Sequence, residues 1–327
     1  SITFTTNDSD EASYTINFTG TGTGSNVSDI YAATFTEPVS ISSLSIGTIT
    51  SSTDGTEVWR FRVRDGGNNA VTLVNDADNL PTTLTDLIIT QSAGNAVGTW
   101  SDAIESIALF DGTTLVGSGV VSATQIQFTG MNLVVADFQE KLISVRLTLK
   151  CPLGADAFDG EDFGFSIVNN ASNVVFAATG SGRLTTAYTR SSTNARNLIA
   201  VVATELQFSQ QPITTGVGTP MTNVIVWATD SCGNKDINFT GTVSLTSTGT
   251  MNAVTPVTAI AGAATFSGII HTVTGTDFSL TATSSPVLTP GASTLFDIST
   301  VTILSPGDLA VLAVNTNTEI STGTDLI

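Results

Sequence analysis

The chain has 327 residues, of which 41% are hydrophobic and only 12% charged, and 28 acidic against 10 basic side chains give a formal net charge of -18. That imbalance argues against nucleic acid as a partner, since neutralising phosphates needs clustered Lys and Arg, and no apolar run approaches the roughly 18–20 residues of a membrane-spanning helix. Thr, Ser, Gly, Val and Asn fill the place of charge, and their strand and turn preferences predict an all-β protein with a surface of hydroxyls and amides.

The first phrase, "TTNDSDEASYTINFTGTGT", predicts two strands and a turn, with Tyr14, Ile16 and Phe18 alternating along the second strand. Asn7 and Asp8 open an acidic turn, and the second strand ends in Gly-Thr-Gly-Thr. This order closely resembles the closing hairpin of an Ig-like domain of the kind found in hydin-type and related bacterial surface repeats. Residues 1–24 then read as the end of a domain whose other strands would precede residue 1.

Residues 25–200 form the next unit. In "VWRFRVRD", Trp59, Phe61 and Val63 alternate with Arg60, Arg62 and Arg64, which predicts an apolar face and an exposed arginine face paired with neighbouring carboxylates. The other reading of that face is a site for an acidic glycan. Trp100, Ala103, Ile104, Ile107 and Ala108 fall at helical spacing and predict one or two helical turns, with Trp100 a core anchor. In "KLISVRLTLK", Ile143, Val145 and Leu147 return to a period of two. The Asp-Gly-Gly turn after Arg64, the phrase "DADNLPT" and the strands around them resemble a β-sandwich repeat common in very large secreted proteins of Bacteroidetes.

Residues 201–299 carry a Gln-Pro at their start, a turn at Asp230-Ser231-Cys232-Gly233-Asn234 and a Thr-Gly-Thr-Val strand. These resemble bacterial Ig-like domains of the adhesin-stalk type. Phe208, Val226 and Leu280 are its expected core, with Trp227 facing the other way. Residues 300–327, "TVTILSPGDLAVLAVNTN" and onward, resemble the first strands of a lamin-tail-like β domain. With a partial domain at each end, the sequence predicts a natural polypeptide that extends past both termini. Tandem Ig-like sandwiches of this kind imply a segment of a giant exported surface protein, similar to the gliding and adhesion proteins that Bacteroidetes send out by the type IX system. The implied role is structural and adhesive. The implied partners are neighbouring domains of the same chain, the export machinery and a polysaccharide or cell-surface substratum. The alternative is an accessory stalk or carbohydrate-binding module of an exported polysaccharide-degrading enzyme.

Catalytic signals are weak. The single histidine, His271, sits in "SGIIHTVTG", with no nucleophile elbow anywhere in the chain, and reads as a strand residue at the surface or satisfied by a neighbour. One His and two distant Cys do not make a zinc set. Calcium is the cofactor the residues suggest, because it takes six to eight oxygens from carboxylates, amides and carbonyls. "RDGGNN" and "NDADN" bring Asp65, Asp76 and Asp78 into one loop system with Asn68, Asn75 and Asn79, and "GADAFDGEDFG" offers Asp156, Asp159, Glu161 and Asp162. The alternative for both is a solvated acidic turn. Cys151 and Cys232 are the only cysteines. They read either as two buried thiols or, because the resemblance places an exported chain in an oxidising medium and both residues in loops, as a disulfide clamping two domains.

Overall fold

The computed structural model describes residues 25–300 apart from 77, 156 and 157, together with the backbone of two short strands, Ile2–Thr5 and Ser13–Ile16. Those strands pair antiparallel, with Ile2 opposite Ile16 and Phe4 opposite Tyr14. The side chains of that hairpin, and residues 301–327 with their expected lamin-tail-like strands, lie outside the described residues. The chain divides into two compact units, Ser1–Val201 and Val202–Ile327. Among the described residues, both are β apart from one helical turn, as the composition predicts.

In the first unit, one antiparallel sheet runs Asp29–Ala32, Thr56–Arg64, Glu140–Leu149, Ile104–Asp111 and Thr114–Ser118 in spatial order. A second sheet is built on the ten-residue strand Thr82–Gln91, which pairs with Gln125–Phe128, Leu133–Val135, Phe165–Val168 and Val174–Phe176. Inward residues of both sheets make one core. Phe61, Val63, Ile143, Val145 and Leu109 come from the first sheet, and Leu84, Leu87, Ile89, Ile126 and Phe128 from the second. Trp59 of the first sheet stacks on Phe165 of the second at 6.3 Å, and Trp100 approaches the same ring at 5.4 Å. Truncating any one of these aromatics would cost about 3–5 kcal/mol, because a packed core collapses only partly into the gap.

Two expectations hold only in part. The helix is a single turn, Trp100–Ala103, and Ile104–Asp111 is a strand. Ile107 and Leu109 face the main core, while Ala108 and Phe110 pack on the other side with Ile49. An apolar run covered on both faces loses its period of two, so its residues mimic helical spacing. The three arginines also differ from one another. Arg60 and Arg62 are partly exposed and pair with Glu57 and Glu140. Arg64 is 1% exposed. Asp29 lies directly across the ladder from it and accepts from Nε and Nη2 at 2.8 Å each. Nη2 also reaches the carbonyls of Ala70 (2.9 Å) and Gly67 (3.3 Å), and the guanidinium lies 3.8 Å from the Tyr31 ring centre. A strand end covered by a loop can hold an arginine only when its charge and donors are met in this way.

In the second unit, three small sheets enclose a separate core. They contain Glu205–Gln210, Val224–Thr229 and Ala263–Phe266; Thr215–Gly216, Phe296–Ser299 and Gly275–Phe278; and Val257–Thr258, Thr242–Ser247, Leu280–Ser285 and Gly291–Ala292. Phe208, Val226 and Leu280 are buried. Trp227 faces away, with the Lys235 ammonium 5.1 Å from its ring centre. The turn after Val224–Thr229 is organised by Asp230, whose Oδ1 accepts from the Cys232 and Asn234 amides at 2.9 Å each, with Gly233 supplying φ +79.

Candidate metal centre

The strand Thr56–Arg64 runs straight into Asp65, and its neighbour Glu140–Leu149 is preceded by Asp137. Glu140 lies opposite Arg64, and the Asp65 amide donates to the Gln139 carbonyl at 3.0 Å. The ladder therefore brings Asp137 to the end of the strand that carries Asp65. Between Asp65 and Asp78 the chain folds back on itself. Gly66 takes φ +71, and a Cβ there would collide with the Val74 carbonyl. The Asn68 amide donates to Val27 O at 2.8 Å, and Arg64 holds the carbonyls of Gly67 and Ala70. Asn68 and Asn79 adopt positive φ, so they serve as turn residues.

The fold-back gathers carboxylates. Asp76, Asp78 and Asp137, all half-buried, offer oxygens within 4.8 Å of one another. Asp65 lies beside them, fully buried. The Ser28 hydroxyl lies 3.5 Å from its Oδ1, and its Oδ2 has no hydrogen-bond partner. Asp137 Oδ1 is likewise buried and unpartnered. Burial, followed by the nearby Asp76 charge, pushes the Asp65 carboxyl up to about 7, with Asp78 and Asp137 adding to the rise. Asp78 goes the other way. Burial would raise it, but the amides of Ser25 and Leu80 and the Ser181 hydroxyl outweigh that and hold it below the usual range. The Ser25 hydroxyl donates to Asp76 Oδ2. None of the four carboxylates makes an ion pair among the described residues, and the adjacent Arg64 is committed to Asp29.

Of the three acids picked out from sequence, Asp76 and Asp78 thus meet Asp137, with Asp65 buried alongside. Asp137 carries no local signal. It lies far along the chain and becomes visible only when the two strands are paired. In the second acidic loop, Asp156 lies outside the described residues. Asp159 accepts from the Val201 amide (2.9 Å), Glu161 from Phe158 (3.2 Å) and Asp162 from Ala195 (2.9 Å), so these acids secure loop backbone. Cys151 is exposed just after Glu140–Leu149, and Cys232 is half-buried in the Asp230 turn.

His271 is not at the surface. It is fully buried, its Nε2 lies 2.9 Å from Ser247 Oγ, and its Nδ1 has no partner. Phe278 stacks on it at 5.9 Å and Phe296 meets it edge-on at 5.3 Å. Burial lowers its pKa below the ordinary value. A groove of about 270 Å³ in the second unit is lined by Asn252–Thr255, Val257 and Thr265–Gly268, none of them an acid or a base.

No protein-family model matches the chain, and no curated protein is significantly similar to it. Among solved structures it is similar to a Corynebacterium diphtheriae protein described as membrane anchored, at 11% identity and a TM-score of 0.27, over 86% of this chain and 59% of that one. It is also similar to the BSP domain of a biofilm-associated protein, at 12% identity and a TM-score of 0.23, over 78% and 51%. A third is the D0–D1 region of intimin, at 13% identity and a TM-score of 0.23, over 77% and 97%. The chain spans a little over half the length of the first two.

Proposed function

We propose that this chain is a structural and adhesive segment of a large exported surface protein, spacing or displaying binding domains and touching surface polysaccharide. The observation that carries the reading is the presence of two successive β units, each closed around its own apolar core. Sandwiches in series make a spacer, because each unit buries an apolar core of its own. The low charge content and the negative surface suit a chain that stays soluble outside the cell. The resemblance to Bacteroidetes repeats adds the type IX export route, and with it neighbouring domains and the export machinery as partners. Within the same reading, Cys151 and Cys232 pair as a disulfide. They are the only two cysteines, both lie in loops, and an oxidising exterior preserves such bonds.

The test is made on cells that produce the protein. Antibody fragments raised against residues 25–300 should label intact cells and reduce their attachment to polysaccharide-coated surfaces. Antigen reached only after lysis, or attachment unchanged under saturating antibody, would overturn the proposal.

A further inference from the structure

We infer that Asp76, Asp78 and Asp137, with Asp65 buried beside them, form one calcium site, and that its occupation fastens the chain at Ser25–Ser28 to the first sandwich. The inference does not depend on the surface role. Two oxygens bound to one calcium at about 2.3–2.6 Å lie at most about 4.6–5.2 Å apart. The oxygens of Asp76, Asp78 and Asp137 fall within 4.8 Å of one another, so they fit a single coordination shell as they stand. Acidic turns alone do not account for what lies beside them. Asp65 is fully buried, with an oxygen that no donor meets, and Asp137 has another. Buried carboxylate oxygens without donors are costly, and a cation held by Asp76, Asp78 and Asp137 beside Asp65 lowers that cost.

The donor chemistry selects the ion. The set is all oxygen, with neither His nor Cys, which disfavours zinc. Three carboxylates on one centre, drawn from a loop and a strand approach, suit the larger and less rigid shell of calcium better than the octahedron and bound waters of magnesium. The hydrogen bonds already present orient the ligands, as second-layer contacts do in metal sites. Ser25 donates its amide to Asp78 at 2.5 Å and its hydroxyl to Asp76. Ser181 donates to Asp78 at 2.9 Å, and the Gly182 amide donates to Ser25 O at 2.5 Å. An ion that fixes Asp76 and Asp78 therefore also fixes the segment at Ser25 and the loop at Ser181, through groups that touch both.

Calcium chloride titrated calorimetrically into the chelator-treated full chain should show one ion bound per chain. The melting temperature of the first unit should rise by roughly 5–10 °C at a hundredfold excess over Kd. Asp137→Asn should weaken binding at least tenfold, and Asp76→Asn should do the same. Glu105→Gln, at an exposed acid on another strand of the same unit, should bind like the parent. Circular dichroism confirms that each variant is folded, and either Asn variant suffices if the other is not. Absence of stoichiometric heat together with an unchanged melting temperature at millimolar calcium would overturn the proposal. So would a folded Asp137→Asn or Asp76→Asn that binds as tightly as the parent.

Discussion

Arg64→Leu tests how the loop bearing the acidic cluster is held. The change removes two 2.8 Å hydrogen bonds to Asp29, two to the carbonyls of Ala70 and Gly67, and the stacking on Tyr31. Asp29, with no exposed surface, keeps only the Asn69 amide at 2.7 Å. Stranding a buried charge in this way costs about 3–5 kcal/mol, far more than the pair contributes over a well-packed apolar substitute. Arg62→Leu, which breaks the half-exposed pair with Glu140, should cost no more than about 1 kcal/mol. The assay is urea unfolding followed by tryptophan fluorescence in a Trp227→Phe background, where Trp59 and Trp100 report the first unit alone. In a double-mutant cycle with Asp29→Asn, the coupling should reach about 2 kcal/mol or more. A loss below about 1 kcal/mol for Arg64→Leu, equal to that of Arg62→Leu, would refute the reasoning.

The non-reduced full chain should weigh about 2 Da less than the reduced chain, the mass of the two hydrogens lost when a disulfide forms, and Cys151 and Cys232 should resist alkylation until reductant is added; two native thiols that label freely would remove the bridge. His271 gives the second unit a pH dependence. Its folded pKa lies below the unfolded value of about 6.5, so the unfolded state binds the proton more readily, and stability is full above that pH and falls as pH drops below it. Melting curves between about pH 7.5 and 5.5 should show this slope in the parent and lose it in His271→Phe, and an unchanged slope in the variant would assign the effect elsewhere.

How far the sequence discloses the fold depends on which neighbours a residue needs. Trp59, Phe61, Val63, Ile143 and Val145 are readable because a strand with one covered face writes that face into its own period. Ile107–Phe110 is not, since both faces are covered and the period vanishes. Arg64 shares the spacing of Arg60 and Arg62, yet its surroundings come from Asp29 on another strand and from a loop that closes over it. The acidic cluster divides in the same way. Asp65, Asp76 and Asp78 stand together in sequence, whereas Asp137 joins them only through strand pairing. His271 is buried by Phe278 and Phe296, and nothing in "SGIIHTVTG" announces those rings.

Pulling the full chain from its two ends in a force spectrometer measures the central claim, that these are consecutive, separately cored units acting as a spacer. Two discrete unfolding peaks are expected, one for each unit. Adding reductant should release the segment between Cys151 and Cys232, roughly 270–290 Å of further extension at about 3.3–3.6 Å per residue. A smooth extension without peaks, or a single all-or-none event spanning both units, would contradict the account.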